Sequence, residues 1–461
     1  MTSPASFNTL SLRSELLSNL TAIGYDEMTR VQAEALPALL SGADVSARAK
    51  TGSGKTAAFG LGLLNKLDAT TFAAQALVLC PTRELADQVT KELRRLAREI
   101  PNVKVLTLCG GASLGPQLAS LQRPAHIVVG TPGRILKLLR KGNLSFPSLQ
   151  TLVLDEADRM LDMGFTDDID AIIKQLPKQR QTALFSATYP NNIATIGRRI
   201  QNDPITVDVT ESEQPAAIEQ RWCSVTRESR DEALLRVIRA WGGALNIVFC
   251  NTKIECAAVA QLLIDDGVAA VALHGALEQH QRNEMLVRFG NRSASVMVAT
   301  DVAARGLDID DLDVVFNYEL PKQAEVFVHR IGRTGRAGRE GLAVSLVESR
   351  ELRRWRDIES MLPSALPAES ALPASRVVIP GLRPAMTTVH ISGGRKNKLR
   401  PGDLLGALTA KGGIAGKSVG SIDLFDTYGY VAVLSADAKQ AVQQLANRPI
   451  KGRRYRARII R

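Results

Sequence analysis

Two tandem parallel-sheet α/β domains followed by a small, basic α/β module are the fold that this sequence predicts, and three observations lead there. Short continuous apolar runs alternate with amphipathic helical spacing, first over residues 76–185 and again over 247–347. Strands buried on both faces by crossover helices produce that pattern. A phosphate-loop motif precedes the first series, and none precedes the second. Charge is also unevenly placed: of a net +11, residues 386–461 hold 14 Lys and Arg against 4 Asp and Glu. A chain of 461 residues gives each domain a core of its own.

The elements follow in order. Leu12, Leu16, Leu17, Leu20 and Ile23 recur at helical spacing and predict a helix over 11–23, with a second over 31–40. After the phosphate loop, strands are expected at 76–79, 103–108, 127–129, 152–154 and 183–185. The alternation pauses near residues 203–204 and 213–216, then resumes with strands at 247–249, 268–273, 296–298, 314–316 and 343–347. Pro363, Pro367, Pro373, Pro380 and Pro384 stand amid Ala and Ser, a composition that suits an extended linker. The basic module begins at 388–391, continues through a Gly- and Ala-rich helical stretch, and returns to strands at 421–424 and 430–434. Boundaries are therefore expected at 1–209, 210–361, 362–385 for the linker and 386–461. No tandem repeat of 20 to 50 residues is present.

Composition narrows the class. No apolar run reaches bilayer length and no signal-like segment opens the chain, so a cytoplasmic protein without membrane contact is expected. Cys80, Cys109, Cys223, Cys250 and Cys256 are scattered, odd in number and lack a C-x-x-C pair, which argues against disulfides and zinc. The five histidines form no ligand-spaced cluster, so the metal expected is one borne by a nucleotide. The basic segment points to a polyanion-binding module.

Residues 49–56 carry the first chemistry: Ala49, Thr51, Gly52, Ser53, Gly54, Lys55 and Thr56. Two glycines let consecutive N–H groups curl around phosphate, Lys55 brings a cation to the outer phosphates, and the Thr56 hydroxyl suits Mg²⁺. Ala49 replaces the usual leading glycine. Asp155, Glu156, Ala157 and Asp158 follow the 152–154 strand. Asp155 is placed to hold Mg²⁺ and Glu156 to polarise the attacking water, the alternative being an acidic helix cap. In the second domain, His329 to Arg339 sets four arginines in a glycine-rich segment. Arg333 and Arg336 suit arginine fingers, and a solvated basic loop or an RNA-backbone contact is the other reading.

With those motifs stand Pro81-Thr82-Arg83-Glu84-Leu85-Ala86, Gly110-Gly111, Thr131-Pro132-Gly133-Arg134, Ser186-Ala187-Thr188, Gln279 with Arg282, and Ala299 to Asp308. Over about residues 1–350, in order and spacing, the chain resembles the DEAD-box RNA helicases. The resemblance implies two RecA-like domains that close on ATP, Mg²⁺ and RNA. It assigns adenine recognition to Phe7, Thr29 and Gln32, although Met28 and Arg30 stand where the family commonly has proline. It further implies nucleotide contact by Asp308, coupling of ATP and RNA by Ser186 and Thr188, and RNA-backbone contact by Thr82, Arg83, Gly111, Thr131, Gly133, Arg134, Arg282 and Thr300.

Residues 387–461 resemble the RRM-like domain of the bacterial DbpA subfamily, with Tyr428-Gly429-Tyr430-Val431 similar to the base-stacking strand. Lys396, Lys398, Arg454 and Arg456 are its expected RNA contacts. Tyr428, Tyr430 or Tyr455 could stack bases, or Tyr430 and Tyr455 could be core. The resemblance implies a monomeric ATP-dependent helicase that remodels 23S ribosomal RNA during 50S assembly, anchored on an rRNA hairpin. An ATP-gated clamp without turnover, a helicase of broader RNA specificity and a DNA motor are the alternatives.

Overall fold

The computed structural model describes residues 5–49, 52–188, 191–209, 218–304, 312–335, 340–360, 362, 368–374 and 382–460. The chain divides into two compact units, with the main break between residues 214 and 215.

Seven strands build the first unit: β1 (Val45–Arg48), β2 (Ala76–Leu79), β3 (Val105–Leu108), β4 (Ile127–Gly130), β5 (Thr151–Leu154), β6 (Gln181–Ser186) and β7 (Ile205–Asp208). They pair in parallel in the order β3-β4-β2-β5-β6-β1-β7. Every residue of β2, β4, β5 and β6 is buried, as continuous apolar strands between two helical layers must be. One layer includes the Lys55–Lys66 helix, whose Phe59 ring meets Phe185 of β6 at a centroid distance of 5.3 Å. Truncating either ring would cost about 3–5 kcal/mol. The opposite layer packs Ile135, Leu138, Phe146, Met160 and Ile172.

Both N-terminal helices appear, as Ser14–Ala22 and Arg30–Ser41. Two strands have no counterpart in the sequence reading. β1 is four residues long and includes Ser46 and Arg48, so it reads as a polar lead-in to the phosphate loop. β7 lies at the sheet edge with three of its four residues exposed, which removes the apolar signal.

The second unit holds two sheets. β8 (Ile218–Val225), β9 (Asn246–Cys250), β10 (Ala270–Leu273), β11 (Val296–Thr300), β12 (Val314–Asn317) and β13 (Gly341–Glu348) pair in parallel in the order β10-β11-β9-β12-β13-β8. β8 is another strand the periodicity does not mark, because Glu219, Gln220 and Arg221 interrupt it. It nevertheless pairs with β13 through all eight residues.

The other sheet is antiparallel, β15-β16-β14-β17, formed by β14 (Met386–Ile391), β15 (Val419–Leu424), β16 (Gly429–Leu434) and β17 (Ala457–Ile459). Val389, Ile391, Val431 and Val433 face a core shared with the Pro401–Thr409 and Ala438–Asn447 helices through Leu404, Leu408 and Leu445. Strand alternation then places Thr388, His390, Tyr430 and Ala432 on the opposite face.

Within the Pro-rich stretch, the described residues lie against the second parallel domain. The Ser370 N–H donates to the Trp222 carbonyl at 2.8 Å, Arg236 Nε donates to the Pro373 carbonyl at 2.7 Å, and Leu382 joins the second domain's core. All five cysteines are buried free thiols, and burial pushes Cys109 up to about 12.

Candidate nucleotide site and nucleic-acid interface

The carboxyl edge of the first sheet gathers the motifs in two neighbouring groups. The phosphate loop leaves β1, Asp155 leaves β5, and Ser186 ends β6, which lies between those two strands. Thr82, Gly111 and Thr131 follow β2, β3 and β4 on the adjoining stretch of the same edge. Ligands of open parallel sheets bind at that edge.

In the phosphate loop, Gly52 and Gly54 adopt φ of 83° and 95°, the left-handed region where a side chain is strained. Gly54 is also crowded, since a Cβ there would come within 2.6 Å of Gln32 Nε2 and 2.9 Å of Thr29 Oγ1. Gln32 uses both ends of its amide within the protein. Its Oε1 accepts from the Thr29 N–H at 2.8 Å, closing the cap of the Arg30–Ser41 helix, while Nε2 donates to the Gly54 carbonyl at 3.2 Å. Thus Thr29 and Gln32 lie directly against the phosphate loop. Phe7 is buried and stacks on Tyr25 at 6.4 Å. Lys55 is buried and donates to the Ala49 carbonyl at 2.8 Å. Thr51 lies outside the described residues.

Asp155 is buried at the end of β5, and burial raises its carboxyl to about 6 despite the opposing Lys55 ammonium. Its Oδ1 is buried without a hydrogen-bond partner among the described residues. An orphaned carboxylate oxygen beside a phosphate loop fits a hard divalent cation. Among the described residues no three His, Cys, Asp or Glu side chains converge, so Mg²⁺ would be held by Asp155, Thr56 and nucleotide phosphates rather than by a protein cage.

Glu156 has φ of 52°, unusual for a residue with a side chain, and caps the Ala157–Asp162 helix. Its Oε2 accepts from Arg159 Nη1 at 2.9 Å, and both side chains are buried. Asp158 binds the coupling motif: its Oδ2 accepts from the Thr188 N–H at 2.9 Å and from Thr188 Oγ1 at 2.8 Å. Ser186 Oγ donates to the Thr188 carbonyl at 2.6 Å. Burial pushes the Asp158 carboxyl up, but the Thr188 and Ser186 hydrogen bonds and Arg159 outweigh it, leaving the group below its ordinary value. Asp158 therefore ties the Asp155–Asp158 segment to Ser186 and Thr188.

On the adjoining stretch, Thr82 and Thr131 cap the Arg83–Leu96 and Pro132–Arg140 helices. Thr131 Oγ1 also accepts from the Gly110 N–H at 3.1 Å, and Arg134 Nη2 donates to the Ala112 carbonyl at 2.9 Å. Gly111 has φ of 73°. Arg83 pairs loosely with Asp87 at 3.8 Å, and Gly133 opens the Pro132–Arg140 helix. Two helix N-termini, one of them capped by the Thr82 hydroxyl, form a surface suited to a phosphate backbone.

In the second unit, Thr300 ends β11 and Arg282 Nη2 donates to the Ala303 carbonyl at 2.7 Å. The arginines of the glycine-rich segment differ in environment. Arg330 is fully buried: it forks onto the Asp301 carboxylate at 2.6 and 2.8 Å and also donates to Asn317 Oδ1, the Glu319 carbonyl and Asn251 Oδ1. It is a structural tie between β9, β11 and β12. Arg333 is also buried. Arg336 and Asp308 lie outside the described residues.

The accessory module exposes Lys396, Arg453, Arg454, Arg456 and Arg458. Arg395, Lys398, Leu399, Arg400 and Lys451 line a cavity of about 540 Å³, a grouping that the scattered charges do not reveal in sequence. Lys451 is partly committed there, to Asp403 and to the Lys398 carbonyl, each at 2.7 Å. Tyr430 and Tyr455 are buried and Tyr428 half-buried. Phe425 stacks on Tyr428 at 4.9 Å, and His390 of β14 completes the cluster 5.5 Å from Tyr430.

Family models match three stretches: DEAD/DEAH box helicase over residues 29–196, helicase conserved C-terminal domain over 229–338, and DbpA RNA binding domain over 388–459. Across 456 residues the chain is 51% identical to the ATP-dependent RNA helicase DbpA of Escherichia coli, covering 99% of both. It is 42% identical to the ATP-dependent RNA helicase CshA of Listeria monocytogenes over 77% of this chain and 68% of that one. Among solved structures, Saccharomyces cerevisiae Dbp5 bound to RNA and ADP BeF3 matches at 30% identity with a TM-score of 0.69, over 77% of this chain and 93% of the other.

Proposed function

Because this chain belongs to the DEAD-box ATP-dependent RNA helicases and is of the DbpA type, with an RNA-binding domain at residues 388–459, we propose that it remodels 23S ribosomal RNA during 50S subunit assembly. The accessory domain anchors it on an rRNA hairpin while the core opens nearby duplex. The protein works as a cytoplasmic monomer on large-subunit assembly intermediates. The observation that carries this reading is the division of charge: the last 76 residues hold 14 Lys and Arg against 4 Asp and Glu, beside a core with little charge excess. A core that holds backbone phosphate selects no sequence, so a separate basic module is needed to choose the RNA.

In this reading Gly52, Gly54 and Lys55 cradle and neutralise the phosphates, and Thr29 and Gln32 hold the adenine end. Asp155 and Thr56 hold Mg²⁺, which supplies neutralisation of the phosphate charge when bound. Glu156, oriented by Arg159, takes the proton side of the attacking water. Asp158, Thr188 and Ser186 pass the state of that site toward Thr82, Gly111, Thr131 and Arg134, which hold RNA together with Arg282 and Thr300. Arg333 and Arg336 supply the cations that complete the site when the domains close.

Crosslinking the protein to RNA in cells and sequencing the fragments tests the assignment. Enrichment of one 23S hairpin is expected, and fragments spread over messenger RNA would favour a helicase of broader specificity.

A further inference from the structure

A row of hydrogen bonds joins the segment around Phe7 to the phosphate loop. Ser6 bridges Glu27 in antiparallel fashion, and the Met28 N–H donates to the Ala5 carbonyl at 2.9 Å. The next N–H, that of Thr29, donates to Gln32 Oε1 at 2.8 Å, and Gln32 Nε2 donates to the Gly54 carbonyl at 3.2 Å. Directly after Ser6 comes the Phe7–Thr9 turn, capped by Ser6 Oγ, which accepts from the Asn8 N–H at 3.3 Å. Phe7 is thereby set against Tyr25. Tyr25 is itself held: its hydroxyl donates to Glu92 Oε1 at 2.8 Å and its ring carries the Arg95 guanidinium at 5.0 Å. Glu92 and Arg95 belong to the Arg83–Leu96 helix, and Arg95 Nη2 also donates to the Ile23 carbonyl at 3.1 Å.

We propose that the backbone N–H of Met28 is a positioning group for the adenine end of the nucleotide site, pinning the Phe7 segment to the cap formed by Thr29 and Gln32. Proline, common at this position in the family, would fix φ but donate nothing. Met28 instead bonds the loop to Ala5, two residues before Phe7. Its side chain only packs on the core of the unit, so the bond survives truncation of that side chain. Arg30, the other departure from the family pattern, pairs with Glu34 on its own helix at 2.6 Å and leaves the row untouched. The phosphate cradle is made by Gly52, Gly54 and Lys55 and owes nothing directly to Met28. Losing the Met28 N–H should therefore be felt at the base rather than at the phosphates.

The proposal rests on the reading that Phe7, Thr29 and Gln32 meet adenine, and the test separates the two. In the full chain, Met28→Pro, Met28→Ala and Gln32→Ala are compared by displacing a fluorescent ATP analogue with ATP and with GTP, and by steady-state ATPase at saturating RNA. Met28→Pro is expected to weaken ATP about fivefold, as the loss of one hydrogen bond would, and GTP less than about twofold, with kcat held. Met28→Ala keeps the N–H and should stay within about twofold of the unaltered chain for both nucleotides. Unchanged ATP affinity in Met28→Pro overturns the proposal. So does an equal loss for ATP and GTP, which marks a general structural effect, or the same loss in Met28→Ala, which would make the side chain responsible. If Gln32→Ala leaves ATP binding as it was, the adenine reading fails and the proposal with it. If Gln32→Ala weakens ATP and Met28→Pro does not, the positioning role alone falls.

Discussion

Arg159 Nη1 lies 2.9 Å from Glu156 Oε2, and both side chains are more than nine-tenths buried. A guanidinium three residues on from the carboxylate holds it in one orientation while the left-handed backbone at Glu156 points it out of the strand. Arg159→Ala would remove a buried, charge-assisted hydrogen bond from that carboxylate, at a cost of about 3 kcal/mol in stability. In steady-state assays with saturating RNA, kcat is expected to fall at least about tenfold with the KM for ATP little changed, and Arg159→Lys should recover part of it. Glu156→Gln should bind ATP and RNA without turnover. Wild-type hydrolysis by that variant would remove Glu156 from the role of base.

Arg330 joins three strand ends through five hydrogen bonds from a buried guanidinium. Arg330→Ala should destabilise the chain by about 3–5 kcal/mol. Lys is not an adequate replacement, since an ammonium cannot fork onto Asp301. Denaturant unfolding followed by circular dichroism checks both variants.

Asp155 gives a pH dependence with a definite sign. Its carboxyl is raised from 3.8 to about 6 by burial, so the native state binds the proton more tightly than the unfolded state. The resulting stability is present below the unfolded value and is lost as pH rises through about 6. In EDTA without nucleotide, Asp155→Asn is therefore expected to melt above the unaltered chain at pH 8, by up to about 3 kcal/mol. The gap should close near pH 4, and Mg²⁺ with ATP should reverse the order. Melting curves across that pH range decide it.

For the accessory domain, the basic cavity lined by Arg395, Lys398, Arg400 and Lys451 marks a phosphate-rich ligand. Replacing Lys398 and Arg400 by Ala should weaken binding of a 23S transcript and lower the slope of log affinity against log salt by about 1 for each phosphate no longer neutralised. Titrations at several salt concentrations measure that slope.

These sites were legible in sequence to different depths. Asp155 and the phosphate loop could be read because their chemistry is local: residue types and spacing already describe each turn. Thr82, Gly111 and Thr131 are marked only by the resemblance to the DEAD-box family. Arg330 could not be separated from Arg333 by the same reasoning. Both stand in one glycine-rich run, and only the positions of Asp301, Asn317 and Asn251 from distant strands make Arg330 a tie. Tyr428 and Tyr430 show the same limit. Their alternation announces a strand with an aromatic face, but what covers that face is decided by Asn283 and Glu284, some 145 residues earlier. β1, β7 and β8 carry no such signal for a simpler reason, since short or edge strands have too few buried positions for a period of 2 to show.

In the proposed cycle RNA gates ATP hydrolysis, and residues 386–461 choose the RNA. Steady-state ATPase of the full chain and of a chain ending before Met386, each with a 23S transcript and with poly(U), tests it most directly. The full chain should turn over much faster on the 23S transcript, and the shortened chain should respond modestly and equally to both. Hydrolysis independent of RNA, or a preference that survives the truncation, would contradict the account.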